Sequence, residues 1–226
     1  MIISFKHKYI FIKNRKVAGS SIQYILKKYL FDFDKDISSL FKLHDHELEK
    51  SNEFDKKYLD NINIDSSFNQ HASLIDICDY LKINLREARK FFFIFCIERN
   101  SYDKAVSSYE FSRKKKKPDG TLKCPYLNNF RDMFDYPKLI PSDWNNYSNN
   151  NQISVDYIYQ FDQLSNLIHD LNKRFNNIIP DQELSKIKLK SGYRDFNQYQ
   201  RYFTNETKNA VNYFFQKEIQ YFNYKF

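Results

Sequence analysis

The chain has 226 residues, 42% of them hydrophobic and 18% aromatic, enough to bury the core of one domain spanning 1–226. Its 36 Lys and Arg against 28 Asp and Glu give a formal net charge of +8, which points to an anionic ligand or partner such as a phosphorylated cofactor or an acidic glycan. No apolar run approaches the ~20 residues needed to cross hydrocarbon, and no signal-type segment precedes the first strand, so the expectation is a cytoplasmic protein without a membrane span.

The first predicted element is a short buried strand at Tyr9-Ile10-Phe11-Ile12, within 8–13. Ile22, Ile25, Leu26 and Leu30 then recur at helical spacing. Between them lies Lys16-Val17-Ala18-Gly19-Ser20-Ser21, which holds one of only three glycines in the chain. Such a turn aims backbone N–H groups and a helix N-terminus at one spot, which suits a phosphate. The Walker pattern GxxxxGK[ST] is absent, because the lysine precedes the glycine. The plainer alternative is a strand–turn–helix with a Ser N-cap. Residues 32–70 read as a polar surface excursion with a short helix over 36–41. His44-Asp45-His46-Glu47 looks like metal ligation but lacks further spaced ligands, so no metal is expected.

His71 stands just ahead of a helix whose start is marked by Ser73 and Asp76 as a capping box and whose buried face is Leu74, Ile75, Cys78 and Leu81. Phe91 to Ile97 is apolar without alternation, the pattern of a parallel strand buried on both faces. Arg99 falls just past its C-terminal end, where open α/β sheets bind ligands. Asn100 or Ser101 caps the next helix, Asp103 sits in its first turn, and Ser107 follows Arg99 by eight residues. An Arg and a Ser so placed can share one phosphate by charge and by hydroxyl donation. The run Arg113-Lys114-Lys115-Lys116-Lys117-Pro118-Asp119-Gly120 reads as a solvated helix end and turn, or as a basic lip that draws in an acidic acceptor. Cys78, Cys96 and Cys124 share no CxxC spacing, and buried free thiols in a reducing compartment are the plain reading.

The segments Asn14-Arg15-Lys16-Val17-Ala18-Gly19-Ser20-Ser21 and Ile97-Glu98-Arg99-Asn100-Ser101 through Ser107-Ser108-Tyr109-Glu110-Phe111 together resemble the sulfotransferases that use 3′-phosphoadenosine 5′-phosphosulfate (PAPS). The likeness is to the carbohydrate branch, with its heparan-type uronyl 2-O enzymes and bacterial relatives. The family's patterns read approximately I-P-K-T-A-G-T-S and V-R-N-P-x-D-R-x-x-S-x-Y-x-F. Val155 to Asp162 and the closing stretch from Tyr202 to Phe226 also look like family segments, in the family's order. The chain departs from the patterns at Arg15, Val17 and Ser101, where the family has Pro, Thr and Pro.

The resemblance implies an α/β, P-loop-like three-layer fold around a central, mostly parallel sheet. It implies PAPS as co-substrate without a metal, and an acceptor hydroxyl on a glycan or glycolipid. Arg15, Lys16, Val17, Ala18, Gly19, Ser20 and Ser21 would then take the 5′-phosphosulfate, with Lys16 also catalytic; Arg99 and Ser107 would take the 3′-phosphate. Lys188, Lys190, Ser191, Gly192 and Arg194 resemble the late loop that covers the cofactor, with Arg194 on either the 3′-phosphate or an acceptor carboxylate. His71, 28 residues before Arg99, would be the general base, with Glu98 next in line. Two other classes share some of these features. A P-loop kinase would need a lysine after the glycine and an acidic Mg²⁺ ligand, for which Glu98 alone is placed. A nucleic-acid-binding module would explain the charge but leave the Arg-to-Ser spacing without a role.

Overall fold

The structure is a computed structural model that describes residues 1–32, 35–38, 69–176, 178–186, 192–194 and 198–226. Contacts divide the chain into two compact units. One comprises Met1–Asn14, Ala18–Glu98 and Asn145–Lys190, the other Arg15–Val17, Arg99–Trp144 and Ser191–Phe226.

The first unit is α/β. Its strands are β1 (Ile2–Ser4), β2 (Tyr9–Ile12), β3 (Ile37–Ser38) and β4 (Phe93–Glu98), then a hairpin of β5 (Ser148–Asn149) and β6 (Gln152–Ile153), and β7 (Tyr157–Gln160). The main sheet runs β3-β1-β2-β4-β7. It is mixed, with β2, β4 and β7 parallel and β1 antiparallel to both β2 and β3. The antiparallel edge has a simple cause. Only residues 5–8 separate β1 from β2, too few for a parallel crossover, and Lys8 turns the chain at φ 56°.

Ile94, Phe95, Cys96 and Ile97 are fully buried, as an unalternating apolar run at the centre of a parallel ladder requires. That run is nonetheless divided. Asn84 and Glu87 form a capping box that starts helix α3 (Leu85–Phe91), and Phe91 closes the helix with 56% of its surface exposed. The strand therefore begins two residues later than the apolar pattern implies.

Helix α1 (Gly19–Tyr29) buries Ile22, Ile25 and Leu26 completely, each worth about 1.5–3 kcal/mol of transfer free energy. Helix α2 (Leu74–Leu81) carries the expected Ser73–Asp76 capping box. The helix expected over 36–41 is not formed at its start, because Ile37–Ser38 is β3. The buried Asp36 carboxylate accepts from Ser4 Oγ at 2.6 Å, Phe5 N at 2.7 Å and Asp32 N at 2.9 Å, which turns the following residues onto β1. Residues 39–41, His44 and His46 lie outside the described residues.

The second unit is built on α4 (Ser101–Lys114) with the C-terminal helices α6 (Asn205–Phe214) and α7 (Gln216–Phe222); α5 (Leu164–Phe175) belongs to the first unit. Its core joins Tyr102, Ala105, Val106 and Tyr109 of α4 to Phe130, Met133, Val211 and Phe215. The basic run behaves as a helix end and turn. Helix α4 stops at Lys114, and Lys117 and Gly120 close a turn in which Gly120 takes φ 82°. Cys78, Cys96 and Cys124 are buried and unbridged. Among the described residues no helix is long and apolar enough to cross a membrane.

Candidate functional site

In the first unit, β2 ends in Lys13 and Asn14, both buried. Asn14 Nδ2 donates to Ile97 O at 3.0 Å and ties the ends of two parallel strands together. Lys13 Nζ donates to Gln23 Oε1 on α1 at 2.7 Å. Helix α1 opens with Ala18 in the left-handed region, φ 58°, and has neither a side-chain cap nor an acidic residue in its first turn. The Ser N-cap of the plainer alternative is absent, with Ser20 and Ser21 inside the helix. A helix start left without such partners is suited to an anion.

Gly19 is needed for space rather than for its φ. A Cβ there would stand 2.9 Å from Lys13 Cγ and 3.2 Å from Asn14 O. The lysine stem is held at its far end by Gln23, and the carbonyl is backbone, so neither yields easily.

His71 is half-buried just before α2, and its Nδ1 lies 2.7 Å from Lys13 O. A carbonyl only accepts, so in the neutral ring Nδ1 carries the hydrogen and Nε2 the basic lone pair. Its backbone N–H donates to Asn69 Oδ1 at 3.0 Å. In that tautomer Nε2 is the ring atom able to accept a proton. Glu98, the alternative base, is fully buried and accepts from Tyr147 Oη at 3.1 Å, a poor position for meeting a substrate hydroxyl.

In the second unit, Arg15–Val17 join the elements that follow Arg99. Arg15 is committed internally. Its backbone N–H and Nε each donate to the Asp143 carboxylate at 2.7 Å, and Nη2 donates to Ser142 O at 2.8 Å. This assigns Arg15 to holding the loop, where the resemblance implies a ligand contact. Lys104, fully buried, places Nζ 3.0 Å from Asp143 Oδ2. Burial works against the Asp143 charge, but Lys104 and Arg15 together hold the carboxyl below its usual range. Glu218 accepts from Ser142 Oγ and from the backbone N–H groups of Asp143 and Trp144, fixing the far side.

Lys16 has φ 60°, and its ammonium lies 3.9 Å from the centre of the Phe111 ring. Its backbone carbonyl accepts from Arg99 Nη1 at 3.0 Å. Arg99 Nε bonds the Asp103 carboxylate, and the same carboxylate receives Arg194 Nη2, which also donates to Asp103 O at 2.8 Å. Burial lowers the Arg99 pKa from its ordinary value, with Asp103 opposing. The structure thus brings Arg99 and Arg194 together on Asp103, with the Lys16 backbone held by Arg99. Ser107 is half-buried, one turn beyond Asp103 on the same helix face. Gly192 takes a positive φ of 82°. Ser191, Lys188 and Lys190 lie outside the described residues.

Asp103, Lys104, Asp143 and Glu218 were not singled out as site residues by sequence. For Asp103 a signal exists, since Arg99 and Asp103 stand four apart across a helix start. For Asp143 and Glu218 none exists, because their partners are remote in the chain. Among the described residues no three His, Cys, Asp or Glu side chains converge as a metal site. No family model, curated protein or solved structure matches the chain.

Proposed function

We propose that this chain is a PAPS-dependent sulfotransferase with a P-loop-like fold, acting on a hydroxyl of a glycan or glycolipid. The observation that carries the reading is the hydrogen bond from Arg99 to the backbone of Lys16. Those residues stand 83 positions apart, just past the C-terminal ends of the parallel neighbours β2 and β4, and each belongs to a segment suited to an anion.

Each side chain then has a distinct task. The N–H groups of Val17 to Ser21 and the start of α1 take the 5′-phosphate. Arg99, Arg194 and Ser107 take the 3′-phosphate, with Asp103 holding the two guanidinium groups in place. The sum over Arg99, Arg194 and Asp103 is +1, and Lys16 raises it to +2, which suits a ligand carrying several negative charges. In the reaction the acceptor oxygen forms a bond to sulfur as the bond from sulfur to the phosphate oxygen breaks. His71 Nε2 takes the acceptor proton. Lys16 neutralises charge that builds on the departing phosphate, leaving the Phe111 ring to do so.

A P-loop kinase is disfavoured by the burial of Glu98 against Tyr147. The test compares adenosine 3′,5′-bisphosphate with adenosine 5′-monophosphate by titration calorimetry, followed by PAPS turnover across a panel of sugars. Equal affinity for the two nucleotides would remove the 3′-phosphate assignment of Arg99, Arg194 and Ser107.

A further inference from the structure

At the end of the sheet away from Glu98, the N-terminal ends of β4 and β7 open onto a trough in the first unit. Strand β4 is six residues long, so this trough lies about 16 Å from the strand's C-terminal end. It consists of two adjoining shallow depressions, open to solvent and of about 390 and 650 Å³, that share Arg89, Lys90 and Asp156. Arg174 lines the first and Arg86 the second. Four cations therefore face one carboxylate. That carboxylate is already used, with Asp156 Oδ1 accepting from Arg89 Nε at 3.1 Å and Oδ2 from Ile94 N at 2.8 Å. Among the described residues, no carboxylate pairs with Arg86, Lys90 or Arg174.

Arg174 is also pre-set. Its guanidinium lies 3.8 Å from the centre of the Phe93 ring, a cation–π contact that leaves its N–H donors available for hydrogen bonds. Two aromatic rings flank the cations with much of their surface exposed, Phe91 at 56% and Tyr157 at 49%. Guanidinium edges bind carboxylate or sulfate through paired hydrogen bonds. Flat apolar rings match the C–H face of a sugar, and the remaining lone pairs of Asp156 suit hydroxyl donors. A dense line of phosphates would meet Asp156 in the middle of its path.

We propose that this trough binds an acidic oligosaccharide, a chain of more than one ring bearing carboxylate or sulfate groups, as a second site remote from the transfer chemistry. The choice of sugar rests on the proposed sulfotransferase reading; the demand for an anion does not.

The experiment is titration calorimetry of the intact chain with a sulfated uronic-acid tetrasaccharide. The controls are a neutral tetrasaccharide and a uridylate hexamer, at low and high salt, with adenosine 3′,5′-bisphosphate titrated separately. Arg174→Ala should weaken the acidic sugar about tenfold or more, as loss of a charge-assisted pair implies. The double variant Arg86→Gln, Lys90→Gln should weaken it as well, and both should leave the bisphosphate affinity unchanged. If Arg174→Ala fails to fold by thermal melting, the double variant on the exposed face of α3 decides alone. Unchanged sugar affinity in the variants, equal binding of the neutral sugar, or tighter binding of the hexamer each overturns the proposal. Loss of sugar binding in the variants together with no bisphosphate binding at all would retain this site and sink the sulfotransferase reading instead.

Discussion

Asp143 offers the sharpest test of how the second unit is held together. Its side chain is 2% exposed and that of Lys104 1%, with 3.0 Å between charges. Asp143→Ala removes the carboxylate that faces the Lys104 ammonium in the interior and strips two hydrogen bonds from Arg15. Breaking a buried pair from one side costs ~3–5 kcal/mol. Lys104→Met leaves Asp143 with Arg15 and fills most of the lysine volume, so the smaller end of that range is expected. In the double variant both charges of the pair are gone, and the cost should fall below the sum of the singles by ~1–3 kcal/mol. Urea denaturation followed by tryptophan fluorescence and far-UV circular dichroism measures all four corners, with an unchanged m-value licensing the comparison. The pH dependence has a fixed sign. The folded carboxyl titrates below its unfolded value, so the stabilisation is fully present above the unfolded pKa and is lost as pH falls through the folded one. The wild type should therefore hold level from about pH 5 to 8 and weaken below about pH 4, and Asp143→Ala should flatten that acid limb. Strict additivity of the two singles would refute the claim that the pair acts as a unit.

Arg99→Ala should weaken adenosine 3′,5′-bisphosphate by ~1.5–3 kcal/mol, read by calorimetry, and should change adenosine 5′-monophosphate far less. His71→Ala should leave bisphosphate affinity nearly intact while lowering PAPS turnover ~10²–10⁴-fold; near-normal turnover would make the histidine a tie to Lys13 and nothing more. Gly19→Ala should cost ~1–3 kcal/mol in chemical denaturation, since the added methyl meets Lys13 Cγ and Asn14 O, and a neutral result would mean that the β2–α1 turn relaxes more readily than its contacts indicate. Lys16→Ala should reduce both bisphosphate affinity and turnover, whereas a loss confined to turnover would place the lysine on the transferred group alone.

What the amino-acid order determines by itself is local in physical origin. The apolar run from Phe91 to Ile97, the helical spacing of Ile22, Ile25 and Leu26, and the Ser73–Asp76 box each express a preference set by near neighbours, and each element forms, the strand starting only at Phe93. Long-range pairing decided the remainder. Only the sheet shows that Ile37–Ser38 extends along β1, because the Asp36 carboxylate that directs this bonds residues about thirty positions away. The candidate site divides along the same line. Lys16, Gly19, Arg99 and His71 stand out as residue types at strand ends and helix starts. The roles of Asp143 and Glu218 do not, because a buried carboxylate gains its meaning from partners that the chain supplies 128 and about 75 residues away. Charge burial is a property of the packed interior, and only the tertiary structure creates one.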